Sequence, residues 1–77
     1  MKLDIISPEK ILFSGDVSSV TLPGMMGRFT VLEDHAPIIS SLGEGTIAYT
    51  INGEETSLPV KSGFVEVKRN VVTVCVE

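Results

Sequence analysis

The sequence predicts an all-β fold, a small sandwich or barrel that forms one domain over residues 1–77. Apolar residues recur with a period of two almost everywhere, and the spacing of an amphipathic helix is absent. Turn signals separate the short strand-like runs at intervals of about 8 to 12 residues, which is typical of sandwiches and barrels. A length of 77 residues suits one domain and no more.

The first half of the chain is expected to hold short, irregular strands. They are Lys2–Ile6, Lys10–Phe13, Asp16–Leu22, Phe29–Leu32 and Ile38–Leu42. Ser7-Pro8 ends the first strand because proline cannot donate to a ladder. Ser14-Gly15 is expected to form a turn or a sharp bend. Val17 and Val20 are three apart, so a bulge near Ser18-Ser19 is needed to give one buried face.

The second half is expected to form two hairpins with clear alternation. Their strands are Thr46–Ile51, Glu54–Val60, Gly63–Lys68 and Val71–Val76. Asn52-Gly53 is the strongest short hairpin signal because both residues tolerate positive φ, and Arg69-Asn70 forms the second tight turn. Pro59 predicts an edge position for its strand. The expected apolar faces carry Ile47, Tyr49 and Ile51, then Thr56, Leu58 and Val60, and finally Val72, Val74 and Val76.

Composition limits the possible partners. The net charge of −4 and the isoelectric point near 4.8 argue against nucleic acid, whose phosphates require a basic surface. They also argue against direct insertion into anionic lipid. The chain is 43% hydrophobic with a mean hydropathy of +0.33, so we expect part of its apolar surface to meet another protein.

Several features are consistent with a reducing, cytoplasmic location. Cys75 is the single cysteine, so an internal disulfide is impossible, and we expect it to be a small strand residue. No stretch approaches the roughly 20 apolar residues of a membrane span. Met1–Ile6 lacks the regions of a signal peptide.

The segment Thr21–Pro37 is the most informative part of the chain. Gly24 and Gly27 frame Met25 and Met26, which the pattern places at the tip of a turn. Apolar side chains at a tip gain little burial unless another molecule covers them. We interpret the turn as a contact surface; the alternative is a turn that folds back and buries both methionines.

Catalysis is a weaker interpretation of the same segment. Glu33, Asp34 and His35 are adjacent in sequence, but neighbours on an extended chain point to opposite faces and do not converge on one atom. His35 also lacks a second histidine or a cysteine at metal-ligand spacing. We therefore expect no catalytic residue, no metal and no cofactor, and keep a small enzyme using His35 with Glu33 or Asp34 as a rival hypothesis.

Two kinds of binding module have about this size. Biotinyl and lipoyl carrier domains present a lysine at a hairpin tip, whereas the Asn52-Gly53 tip has none and the methionine turn offers only Arg28. An oligonucleotide-binding barrel uses stacking aromatics, worth about 1 to 3 kcal/mol per base, and few are present here. A carrier or generic protein-binding β-domain remains the alternative.

Six short motifs resemble the ε subunits of rotary ATP synthases, in the order of that family and over the whole chain from Lys2 to Glu77. They are Ile6-Ser7-Pro8-Glu9-Lys10, Phe13-Ser14-Gly15, Pro23-Gly24-Met25-Met26-Gly27, His35-Ala36-Pro37, Gly63-Phe64-Val65-Glu66-Val67 and Asn70-Val71-Val72-Thr73-Val74. The resemblance implies a sandwich of about ten strands at the foot of the central stalk. It implies a non-catalytic rotor subunit that binds the γ subunit and the polar loops of the c-ring, at the cytoplasmic face of the inner membrane.

The resemblance also assigns residues to each partner. The turn that faces the c-ring corresponds to Gly24, Met25, Met26, Gly27 and Arg28. The surface that faces γ corresponds to Ser7, His35, Ile38 and Ser40, with Ile39 close by. Many members carry an acid near Arg28, so the charge at that contact is reversed here and a complementary acid is expected on the ring. Longer members continue into two C-terminal helices, and we expect a short form without them.

Overall fold

The computed structural model describes residues 1–77, and all of its regular structure is β-strand, which confirms the all-β prediction. It has nine strands, where the resemblance implied about ten. They are β1 Lys2–Ile6, β2 Ile11–Asp16, β3 Ser19–Gly24, β4 Gly27–Leu32, β5 Ile38–Leu42, β6 Gly45–Ile51, β7 Glu54–Val60, β8 Gly63–Lys68 and β9 Val71–Val76. The structure contains no helix that could span a bilayer.

The strands form one curled sheet in the order β2-β1-β9-β8-β5-β3-β6-β7, with β4 paired to β3 outside this path. All neighbours are antiparallel except β1 and β9, which run parallel. The curl brings the β1–β9–β8 half over the half built from β3, β4 and β6. Phe13 on β2 and Tyr49 on β6 meet between the halves, with ring centroids 4.3 Å apart.

Alternation along the strands places one set of apolar side chains between the two halves. Fifteen buried hydrophobic residues form a single core, and no buried polar or charged residue interrupts it. The core valines of β9 (Val72, Val74 and Val76) are the ones that the sequence pattern predicts. Ile51 and Thr56 alternate with the buried side chains of their strands yet are exposed: Ile51 lies beside the hairpin turn, and Thr56 lies on the edge strand β7.

The predictions for β2 and β3 were wrong in detail. Ser14-Gly15 is not a turn: both residues lie within β2, opposite Asp4 and Leu3 of β1. Ser14 Oγ also donates to Asp4 Oδ1 at 2.6 Å, so the ladder with β1 outweighs the local turn preference. The predicted strand Asp16–Leu22 and its bulge are replaced by a break at residues 17 and 18, and the irregularity in pairing lies instead between Ile5 and Ile6 of β1.

The predictions for the turns of the second half are confirmed. Asn52 and Gly53 have φ values of 49° and 81°, and Arg69 and Asn70 have values of 53° and 60°. Positive φ at both central residues matches the twist that a two-residue hairpin needs. Pro59 lies in β7 at the end of the strand order, which is the edge position predicted for it.

Candidate protein contact surface

A hairpin tip between β3 and β4 carries the predicted methionines. Gly24 ends β3 and Gly27 begins β4 with a φ of 131°, a conformation that favours glycine. A Cβ on Gly24 would lie 2.7 Å from the Gly27 carbonyl oxygen and 2.9 Å from the Phe29 ring. Both glycines are therefore needed for a turn this tight.

Both methionines project from this tip. The exposed fraction is 101% for Met26 and 66% for Met25. The alternative of a turn that folds back and buries them is therefore wrong. Met25 sulfur lies beside Gly43, where an added Cβ would come within 3.1 Å of it. Met26 is thus free of the domain, whereas Met25 partly covers the bend between β5 and β6.

The tip is fastened to the neighbouring strands by backbone and side-chain hydrogen bonds. The Met25 amide donates to the Ser41 carbonyl at 3.0 Å, and the Gly43 amide donates to the Pro23 carbonyl at 2.8 Å. Arg28 Nη1 donates to the Thr46 carbonyl at 2.9 Å. The exposed methionines are consequently presented on a supported hairpin.

His35 lies in the exposed loop between β4 and β5, at some distance from the methionine tip. Its amide donates to the Leu32 carbonyl at 3.2 Å, and its Nδ1 lies 2.7 Å from the Ala36 carbonyl oxygen. The preceding Asp34 has a φ of 63° and donates its amide to Asn70 Oδ1 at 2.6 Å. Asn70 Nδ2 returns a hydrogen bond to Asp34 Oδ1 at 3.1 Å, so the loop is tied to the turn between β8 and β9.

Glu33, Asp34 and His35 each interact with a different group. Asp34 is engaged with Asn70 and His35 with the Ala36 carbonyl. Glu33 lies 3.9 Å from the amino group of Met1. No group of three His, Cys, Asp or Glu residues is placed to hold a metal ion. The three side chains of this loop therefore interact with three separate groups.

The four residues assigned to the γ contact do not form one patch. Ser7 follows the end of β1 that lies beside Cys75, where its Oγ donates to the Lys10 carbonyl. The His35 loop is tied to Asn70, next to the opposite end of β1 and β9. The two sites are separated by the length of a five-residue strand, about 16 Å at roughly 3.3 Å per residue.

Ile38 and Ser40 lie on β5 with Leu42, and their side chains share the inner face with this buried leucine. Ile38 packs against the core. Ile39, on the outer face, is 76% exposed. Alternation indicates that one of two adjacent isoleucines points outward, but not which one.

The outer face of the sheet holds an apolar stripe that the sequence reasoning missed. Ile11, Ile6, Cys75 and Phe64 are adjacent across β2, β1, β9 and β8. Phe64 is 52% exposed and helps to line a shallow groove of about 250 Å³ beside Ser7. Cys75 is half-buried within β9, as expected of a small strand residue. The stripe depends on the order of the strands, which no local pattern gives.

Known proteins similar to the chain agree with this fold. The sequence profile of a family described as "ATP synthase, Delta/Epsilon chain, beta-sandwich domain" matches residues 1–77. An ATP synthase epsilon chain of Leptospira borgpetersenii is 39% identical over 74 residues, covering 96% of this chain and 58% of that protein. The epsilon chain of Chlorobium limicola is 40% identical over 70 residues, covering 90% of this chain and 80% of that protein.

Solved structures show the same fold at low sequence identity. A chain of the Euglena gracilis mitochondrial ATP synthase, solved as an OSCP/F1/c-ring assembly, has a TM-score of 0.89 at 19% identity and covers 96% of this chain and 48% of that one. A chain of the Tetrahymena thermophila central stalk and c-ring has a TM-score of 0.82 at 15% identity, with coverages of 97% and 61%. This chain thus spans between about half and three fifths of the length of three of these relatives, and 80% of the Chlorobium protein. With its whole length matched by the family profile, it belongs to the β-sandwich domain family of the ATP synthase delta/epsilon chain.

Proposed function

We propose that this chain is a non-catalytic part of the rotor of a rotary ATP synthase, linking the γ subunit to the c-ring. In this role it helps to couple ion-driven rotation of the ring to ATP synthesis and is held at the cytoplasmic face of the inner membrane through the complex. The main support for the proposal is that Met26 is fully exposed on a hairpin held by hydrogen bonds, in a chain whose relatives are epsilon chains.

The tip formed by Gly24, Met25, Met26, Gly27 and Arg28 is the surface we assign to the polar loops of the c-ring. Methionine is flexible and polarisable, which suits an apolar contact that must adapt to its partner. Leu22 and Pro23, directly before the tip, are buried and anchor it to the domain. Both solved assemblies are described as containing a c-ring, which agrees with this assignment.

The second surface, for the γ subunit, is centred on the His35 loop and β5. His35 is exposed, and Ile39 adds an exposed apolar side chain on the neighbouring strand. Ile38 and Ser40 support this strand from the inner side. A γ segment that also reaches Ser7 has to run the length of β1, so the contact with γ is extended rather than a single patch.

The proposal is tested by recovering partners from membranes of the source organism. The tagged chain, added to membranes stripped of their own epsilon chain and solubilised in mild detergent, is expected to recover γ and c-ring subunits. A matched variant with Met25→Asp and Met26→Asp should recover γ but much less c-ring. Recovery of neither subunit by the unaltered chain would count against the proposed function.

A further inference from the structure

The three methionines of the chain differ in how far each side chain is open to solvent. The exposed fraction is 101% for Met26 and 66% for Met25. The side chain of Met1, by contrast, is 1% exposed and packs against the core. A thioether is oxidised only when a peroxide can reach its sulfur, so the fold orders the three sulfurs by their access to a dissolved oxidant.

Within the tip, the two methionine sulfurs have different surroundings. Met25 sulfur lies beside Gly43, where an added Cβ would come within 3.1 Å of it. The bend between β5 and β6 therefore covers one side of this sulfur. Met26 is fully exposed and has no such cover. Met26 is consequently the sulfur that an oxidant reaches most easily, and Met25 is the second.

The backbone of the tip is held without help from either methionine side chain. The Met25 amide donates to the Ser41 carbonyl at 3.0 Å, and the Gly43 amide donates to the Pro23 carbonyl at 2.8 Å. Neither bond involves a thioether. A chemical change at the sulfurs is therefore expected to leave the hairpin in place and to alter only the surface that it presents.

Hydrogen peroxide supplies the oxygen for such a change. The sulfur lone pair attacks one peroxide oxygen, and an S–O bond forms as the O–O bond breaks. The proton left on the attacked oxygen passes to the departing hydroxide, which leaves as water. The sulfur is oxidised by two electrons and the peroxide is reduced by two. The product, methionine sulfoxide, is polar and chiral, and sulfoxide reductases return it to the thioether with two electrons from thiols.

We propose that Met26, followed by Met25, is a reversible oxidation switch that controls docking of the free domain: the thioether form binds its partner and the sulfoxide form does not. The inference rests on the proposed function of the tip as the surface for the c-ring. A polar group that is buried in an apolar contact without a hydrogen-bond partner opposes binding, and oxidation disrupts methionine-rich contacts in this way. The reaction takes place before docking, because docking covers the sulfurs.

The order of oxidation is measured by mass spectrometry on the chain treated with dilute hydrogen peroxide. Every form carries Cys75→Ala, so that the single thiol does not take up oxygen. Met25→Leu leaves Met26 as the one sulfur of the tip, and Met26→Leu leaves Met25. We expect oxygen uptake to be fastest at Met26, slower at Met25 and slowest at Met1. Equal uptake at Met1 and Met26, or an oxidised chain that unfolds at a markedly lower temperature, would overturn the switch.

The effect on docking is measured by membrane recovery with the reduced and the oxidised chain. The oxidised chain is expected to recover about tenfold less c-ring, the factor that corresponds to burying one polar group without a partner, and the same amount of γ. Treatment with a sulfoxide reductase and a thiol should restore recovery of the c-ring. The matched control carries both Met25→Leu and Met26→Leu, and it should recover as much c-ring after peroxide as before.

The outcomes distinguish this inference from the proposed function. If the variant with Met25→Asp and Met26→Asp loses the c-ring but the sulfoxide form keeps it, the tip is the contact and the switch is wrong. A loss of c-ring after peroxide in the leucine control would also overturn the switch, because the damage would then lie elsewhere. If the aspartate variant keeps the c-ring, the assignment of the tip fails and control of docking fails with it, while the order of oxidation is read independently of both.

Discussion

At the scale of one residue, Met26 allows contact with a partner to be tested separately from the stability of the domain. Its side chain is fully exposed and touches no part of the core, so the domain does not depend on it. Its neighbour Met25 is less independent because its sulfur lies beside Gly43. Met26 is therefore the cleaner position at which to test the contact.

Replacing Met26 with aspartate is expected to change the free energy of unfolding by less than about 0.5 kcal/mol, as for most surface substitutions. The same change should weaken association with the c-ring, because it places a charge in an apolar contact. Urea unfolding measures the first effect and membrane recovery the second, with Met26→Leu as the control that keeps apolar volume. A marked loss of stability would mean that the tip packs on the domain.

Alanine substitutions of Gly45 and Gly43 can be compared to test how closely the residues behind the methionine tip are packed. A methyl group on Gly45 meets Pro23 Cβ at 2.8 Å, whereas one on Gly43 meets only the flexible Met25 sulfur at 3.1 Å. We expect Gly45→Ala to cost about 1 to 3 kcal/mol, as overpacking does, because Pro23 cannot move aside. Gly43→Ala should cost clearly less in the same thermal unfolding experiment; equal losses would contradict the assigned obstacle.

Exposure of the methionines could be predicted because two flanking glycines define a tip from local sequence alone. The inward direction of Ile38 and the bond from Arg28 to Thr46 could not be predicted in this way. Both depend on which strand lies alongside, and that is decided by pairing between residues far apart in the chain.

At the scale of an element, the loop between β4 and β5 also depends on contacts with residues far away in the sequence. Its sequence indicates only a polar connection, yet Asp34 and Asn70 join it to the β8–β9 turn by two hydrogen bonds. Asn70 also accepts the Lys2 amide through its carbonyl at 2.9 Å. One asparagine thus links three elements around the His35 loop.

Asn70→Gly keeps a residue that tolerates a φ of 60° but removes both side-chain bonds to Asp34. We expect it to destabilise the chain by about 1 to 2 kcal/mol, the usual net range for one or two hydrogen bonds. The exchange of the Asp34 amide should become faster. Urea unfolding and amide exchange measure the two effects.

Exchanging the two residues provides the control for this link. The double variant Asp34→Asn and Asn70→Asp keeps the net charge, and its carboxylate can accept from both the amide and the side chain of residue 34. Most of the lost stability should therefore return. A double variant no more stable than Asn70→Gly would show that the pair does not hold the loop.

Strand boundaries were predictable where local signals and pairing agree. Asn52-Gly53 and Arg69-Asn70 form turns because their positive φ suits the hairpins that flank them. Ser14-Gly15 has a similar local preference, but pairing with β1 keeps it extended within β2. At Ser14-Gly15, pairing with the neighbouring strand therefore outweighs the turn preference of the two residues.

At the scale of the whole molecule, stability depends on one small core shared by both halves of the curled sheet. A chain of 77 residues has a total stability of about 4 to 12 kcal/mol, at 0.05 to 0.15 kcal/mol per residue. Leu22 on β3 is completely buried in this core. The free energy lost to a single cavity in this core is therefore a large fraction of the total stability.

Leu22→Ala is expected to cost about 2 to 5 kcal/mol, the range for buried leucine, and to leave a visible unfolded population at 37 °C. Ile39→Ala is the control, because Ile39 is mostly exposed and its loss should cost less than about 0.5 kcal/mol. Chemical unfolding of both variants checks the difference. Similar losses at the two positions would mean that Ile39 is covered within the domain.

The parallel pairing of β1 with β9 has a consequence for the order of events during synthesis. β9 lies between β1 and β8 in the sheet. β1, the first of the nine strands to leave the ribosome, therefore cannot pair along its second edge until β9 has also been synthesised. Until residue 76 has emerged, Leu3 and Ile5 lack the valines of β9 that cover them in the finished fold. Contacts this distant in sequence form slowly and leave apolar surface open meanwhile. The nascent chain therefore cannot complete its core strand by strand, and its β1 stays open to wrong partners until translation passes β9.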